Sequence, residues 1–138
     1  VLDPIARPIP FLCRHRNNAG ATGLRHNPIG HRMITHARIR DLSRRIAERF
    51  RPERIILFGS RTRGRARVDS DVDLLVVMPY KGQSARKAAE ILNTIEPDFA
   101  VDLIVRSPRE LRGRLAQRDP FFGEIQRRGK VLYEAAHA

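Results

Sequence analysis

Residues 58–77 read FGSRTRGRARVDSDVDLLVV, and this stretch decides the fold. It opens at the end of an apolar run, residues 54–58 (RIILF), whose β-branched residues predict a buried strand. Gly59-Ser60 breaks the run, and residues 61–66 are expected to form a short helix interrupted by Gly64. Residues 73–78 (DLLVVM) then read as a second apolar strand, stopped by Pro79. A helix that starts straight after a strand presents unpaired backbone N–H groups and a positive dipole end, which bind phosphate. Glycine lets the backbone approach closely, and the Ser60 hydroxyl can donate a further hydrogen bond. Asp71 and Asp73 lie two apart at the entry to the strand, so a period of two puts both carboxylates on one side of the sheet. Like charges this close repel unless a cation sits between them. Mg²⁺ takes one or two carboxylates together with substrate phosphates and water. The pair beside a phosphate cradle therefore suggests a Mg-nucleotide.

A third acid extends this constellation. Residues 99–105 (FAVDLIV) predict a third strand, and Asp102 interrupts its apolar run between Val101 and Leu103. A lone carboxylate there is costly unless used. If this strand neighbours that of Asp73, Asp102 completes a carboxylate triad. Three carboxylates can hold two metal ions for in-line displacement at phosphorus, and Asp102 can also accept the nucleophile's proton. Each feature has a plainer alternative: a turn and helix cap at Gly59-Ser60, a cap at Asp71, an edge charge at Asp73, an arginine partner for Asp102. Their joint occurrence in this order favours the chemical reading. Arg61 and Arg63 stand where they can brace a triphosphate, or serve as helix-surface charges; Ser70 reads as bonding the local backbone and Asp69 as solvated.

The flanking chain supplies a scaffold. Thr35 reads as an N-cap, followed by Ile39, Leu42, Ile46 and Phe50 at helical spacing up to Pro52. Residues 84–95 form an amphipathic pattern ended by Pro97. Ser107-Pro108-Arg109-Glu110 is a capping box with proline at the first helical position, predicting a helix to about Gln117. Asp119-Pro120 repeats the cap-and-proline signal, Gly129 reads as a C-terminal stop, and residues 130–133 as a last short strand. Strands alternating with helices predict an α+β domain, a small mixed sheet flanked by helices.

Length and charge bound what such a domain does. The chain has 138 residues, 41% of them hydrophobic, enough for one domain with a real core. No stretch approaches the ~20 apolar residues of a membrane span, and the N-terminal residues do not read as a secretory signal. A single cysteine, Cys13, excludes an internal disulfide framework and fits a reducing cytoplasm. The net charge is +12, and of 27 basic residues only Lys81, Lys87 and Lys130 are lysine. An arginine surface attracts phosphate as nucleotide, RNA or DNA; a GC-rich coding sequence is the alternative source of so many arginines. Residues 1–32 carry four prolines and no sustained period, and read as a disordered or loosely packed basic arm before a domain over 33–138. That arm is either a segment touching nucleic acid or a partner, or an artefact of start-site choice, with Met33 a natural start. His15, His26 and His31 have no metal-site spacing.

The stretch resembles the signature of the polymerase-beta-like nucleotidyltransferase superfamily: G-S, ten residues, D-x-D, and a third Asp on a later strand. It is most similar to the minimal nucleotidyltransferase (MNT) branch, small bacterial proteins paired with HEPN-domain toxins. The likeness spans residues 39–134 and includes GSRTRG, SDVDLLVV, VDLIV and the tail DPFFGEIQRRGKVLYE; residues 1–32 have no counterpart in it. The resemblance implies that Gly59 and Ser60, with Arg63, bind the triphosphate of ATP or another NTP. It implies that Asp71, Asp73 and Asp102 hold Mg²⁺, two ions being expected, and that Asp102 deprotonates the acceptor. The reaction implied moves a nucleoside monophosphate, AMP by family preference, to an acceptor hydroxyl with release of pyrophosphate. In toxin–antitoxin members the antitoxin adenylylates a tyrosine of its HEPN partner. Larger relatives carry a helical acceptor domain for which these residues leave no room, so a separate acceptor protein and association as a homo- or hetero-oligomer are expected. Two other readings stay open: a non-catalytic antitoxin acting by contact, and a basic nucleic-acid-binding module. Against the latter, there is no Trp for base stacking and no basic patch interleaved with aromatics.

Overall fold

The computed structural model describes residues 14–15, 34–62 and 71–136. In chain order the elements are β1 (Arg14–His15), α1 (His36–Phe50), β2 (Arg54–Phe58), a 3-10 turn (Gly59–Thr62), β3 (Val72–Val77), α2 (Ser84–Ile95), β4 (Val101–Arg106), α3 (Pro108–Ala116), α4 (Pro120–Arg128) and β5 (Lys130–Glu134). Apart from β1, the arm expected over 1–32 lies outside the described residues. The strands form one mixed sheet in the order β1-β4-β3-β2-β5. β2 runs antiparallel to β3 and β5, and β3 parallel to β4. A parallel pair needs a long crossover, and α2 provides it. This is the α+β architecture that the alternating pattern predicts.

The helices form where the pattern and caps put them. The Thr35 side chain accepts from the Arg38 amide at 3.2 Å and starts α1. The chain leaves α1 at Arg51, in the left-handed conformation, because Pro52 has no N–H with which to continue the ladder. Ser107 and Glu110 make the reciprocal capping box of α3, and Asp119 accepts from two amides of α4. Gly129 ends α4 for a steric reason rather than a left-handed one: its φ is −69°, and a Cβ there would lie 2.4 Å from the Ile125 carbonyl and 2.6 Å from Ile56.

Alternation along the strands sorts the core into two layers. α1 and α2 pack on one face, burying Leu57, Leu74 and Leu103 beneath Ile46 and Ile91. α3 and α4 cover the other, with Leu111, Phe122 and Ile125 over Ile56, Leu75 and Ile104. Burying each such side chain is worth roughly 1.5–3 kcal/mol. Pairing moves two boundaries from their expected places. β3 and β4 are in register from Val72↔Val101 to Val77↔Arg106, so the ladder sets their ends where apolar runs alone suggest 73–78 and 99–105. Of the short helix expected over 61–66 only Arg61 and Thr62 are described, and they complete a 3-10 turn at Gly59–Thr62. It begins at Gly59 with φ +88° and is closed by the Thr62 hydroxyl donating to the Gly59 carbonyl at 2.7 Å. Residues 63–70, with Gly64, lie outside the described residues.

Candidate functional site

Three strand residues meet in one row. Phe58 of β2 pairs with Asp73 of β3, and Asp73 with Asp102 of β4. Neighbouring strands lie about 4.8 Å apart, so the two carboxylates spring from adjacent backbone positions. Val72 and Leu74 belong to the layer under α1 and α2, as do Val101 and Leu103. Asp73 and Asp102, between them, therefore face the α3/α4 side, where Phe58 also packs. Both carboxylates are half-buried. Asp71 stands one residue before β3 and is half-buried too. Each of the three is engaged in an interaction within the chain.

The 3-10 turn presses against this row. A Cβ on Gly59 would lie 2.2 Å from Oδ2 of Asp73 and 3.0 Å from its Cγ. Only glycine allows that approach, and its φ of +88° is one that other residues rarely adopt. The backbone of Gly59 thus abuts the first carboxylate of the row, with Ser60 next in the turn, while Asp102 flanks that carboxylate on the other side. Arg61 donates to the Ile34 carbonyl at 3.3 Å, tying the turn to the entry of α1. Arg63 lies outside the described residues.

The donor set fits a hard divalent cation in part. Asp73 and Asp102, adjacent and like-charged, are the one or two carboxylates that Mg²⁺ takes alongside substrate phosphates. Among the described residues, however, no three His, Cys, Asp or Glu side chains gather closely enough to hold a metal ion by themselves. Register joins Asp73 with Asp102; Asp71 is close in sequence without being part of a ready three-carboxylate cage.

The sequence reading missed one wall of the site. Phe58 and Phe121 meet edge to face, 5.7 Å between centroids. They line a cleft of about 160 Å³ with Gly59, Thr62, Glu124 and Arg128. The signal was the helical spacing of DPFFGEIQRR, which turns Phe122 and Ile125 inward and leaves Phe121 and Glu124 half-buried.

A family described as "Nucleotidyltransferase domain" matches residues 39–127, well over half of the chain. The chain belongs to that family. As a nucleotidyltransferase domain, a member of the polymerase-beta-like superfamily, it is of the transferase class. Transfer of a nucleoside monophosphate in general is its activity. The match takes in Gly59, Ser60 and all three aspartates, and it ends within α4. No curated protein matches the chain. Among the described residues no helix is long and apolar enough to cross a membrane.

Proposed function

We propose that this nucleotidyltransferase domain moves AMP from ATP to a hydroxyl on a partner protein, a HEPN-domain toxin, and that it acts as the antitoxin of an MNT pair in the cytoplasm. The observation that carries the reading is the row itself, with Asp73 flanked by the Gly59 turn on one side and Asp102 on the other. In-line displacement needs a leaving group held on one side of the reacting phosphorus and a nucleophile activated on the other. Gly59 and Ser60 hold the β- and γ-phosphates, and Arg63 braces them. The Asp102 carboxylate takes the proton of the acceptor hydroxyl as its oxygen attacks the α-phosphorus. The bond from that phosphorus to the bridging oxygen breaks, and pyrophosphate leaves. Asp71, Asp73 and Asp102 would hold Mg²⁺, two ions being expected, which when bound would neutralise phosphate charge and lower the pKa of the acceptor hydroxyl.

The test is transfer itself. Purified protein is incubated with α-labelled ATP and Mg²⁺, with and without the protein encoded by the neighbouring gene, and compared with the Asp71→Ala/Asp73→Ala double variant. Label on the partner with wild type alone supports the reading. No label, with both versions binding the partner tightly, replaces it with a contact antitoxin. Salt-sensitive binding of RNA or DNA and no partner association at all leaves a nucleic-acid-binding module.

A further inference from the structure

β5 ends the sheet and pairs with β2 alone among the described residues. An open edge presents unpaired N–H and C=O groups and is commonly blunted by charge or proline. A bulge interrupts the β2–β5 ladder between Ile55 and Ile56, yet Val131 on this strand is 49% exposed, the only large apolar side chain so exposed among the described residues. Beside the strand, between α1 and β5, runs a groove of about 810 Å³. Pro52, Leu132 and Tyr133 line it, and Arg40, Arg44, Arg51 and a single acid, Glu48, border it. Asp41 and Glu48 hold Arg44; Arg40 and Arg51 have no ion pair among the described residues and are exposed. The buried Ser43 also lines the groove, and its hydroxyl makes no hydrogen bond.

We propose that the β5 edge and this groove receive an extended acidic segment of a partner protein, added to the sheet as a further strand. Strand addition satisfies the outward backbone groups of β5. Side chains of an extended segment alternate between faces. One set enters the groove, where its carboxylates meet Arg40 and Arg51; the other covers Val131. Charge selects this occupant over a second copy: two chains of net charge +12 repel, and pairing β5 with β5 brings two arginine borders together. Leu132 and Tyr133 pack with the α1/α2 layer, so the groove opens on the sheet face opposite Asp73 and Asp102. A partner gripped there leaves the transfer site open, and the inference does not depend on the transfer chemistry.

The test uses the full chain and two short fluorescein-labelled peptides, one alternating Glu and Val, the other Lys and Val, read by anisotropy. The Glu/Val peptide is expected to bind and the Lys/Val peptide not. Val131→Lys and, separately, Arg40→Glu with Arg51→Glu are each expected to weaken binding by about tenfold or more, a loss of one good contact, with melting temperatures unchanged. The exposed arginine substitutions keep the test sound if the strand variant folds poorly. Equal binding of both peptides overturns the proposal. So does sensitivity to the arginines alone, which reduces it to surface charge. Self-association of wild type that Val131→Lys abolishes also overturns it, making the edge a contact between copies.

Discussion

On one face of the sheet, α1 and α2 close over Leu57, Leu74 and Leu103 and leave them fully buried. On the other, α3 and α4 cover Ile56, Leu75 and Ile104 but not the row of Phe58, Asp73 and Asp102, which stays half-buried. The same strands build both faces, so neighbouring residues in sequence have opposite duties. Asp102 and Leu103 are the sharpest pair. One puts a carboxylate beside another carboxylate, an arrangement that suits a cation and phosphate. The other fills a dry layer and serves the fold alone. On the proposed reading the transfer site lies where the second layer stops, while the first layer serves the core.

Substitution of each member of that pair makes the contrast measurable. Asp102→Asn is expected to cut nucleotidyl transfer by about 10²–10⁴, the worth of a positioned proton acceptor. It leaves the melting temperature unchanged or higher, because one of two adjacent like charges is gone. Leu103→Ala is expected to cost roughly 2–5 kcal/mol in urea unfolding while the folded fraction keeps its turnover. Equal destabilisation by the two would break the comparison and make Asp102 a structural residue. Gly59→Ala comes next. Its Cβ collides with the Asp73 carboxylate and its φ is unfavourable, so roughly 1–3 kcal/mol of strain and weaker nucleotide binding are expected together. Isothermal titration with ATP alongside unfolding separates the two effects. Weakened stability with unchanged ATP affinity would take the turn out of the phosphate site.

How far these features were legible follows from what each depends on. The pattern at 54–58 marks β2 to the residue, since a short apolar run between an arginine and a Gly-Ser turn has one reading as a strand. The capping box at Ser107 and the cap at Asp119 are local hydrogen bonds, and local sequence suffices for them. Asp73 was legible as half of an Asp-x-Asp pair at a strand entry and Asp102 as a carboxylate interrupting an apolar run, but their adjacency needed β3 and β4 to pair in parallel, which no local pattern states. The turn at Gly59 was legible as a break and not as 3-10, because the nearness of Asp73 is a contact across strands. Phe121 escaped for the same reason: its partner, Phe58, is distant in sequence and becomes visible once α4 is laid over β2.

The end of the sheet remote from the row permits a finer comparison, between a charge that the fold must neutralise and one that it merely uses. The Tyr80 hydroxyl donates to both carboxylate oxygens of Glu110, at 2.8 and 2.9 Å, and Glu110 also closes the capping box with Ser107. Losing the cap with Ser107→Ala is expected to cost about 1 kcal/mol. Tyr80→Phe is expected to cost less, about 0.5–1 kcal/mol for one half-exposed hydrogen bond, and its pH dependence is the informative part. Burial first, and then the bond to Glu110, raise the Tyr80 hydroxyl above its ordinary value of 10.0, with Arg106 opposing. A group raised in the fold favours the protonated form there. Its contribution is therefore whole below the unfolded value near 10 and fades as pH climbs through the folded one. Wild type should exceed Tyr80→Phe in stability at pH 8 by that margin, and the gap should narrow above about pH 10 as phenolate forms against a carboxylate. Urea unfolding of both proteins at the two pH values reads it directly. Tyr133 is common to both and cancels, so a gap that stays constant would mean that Tyr80 contributes its ring to the core and its hydroxyl nothing.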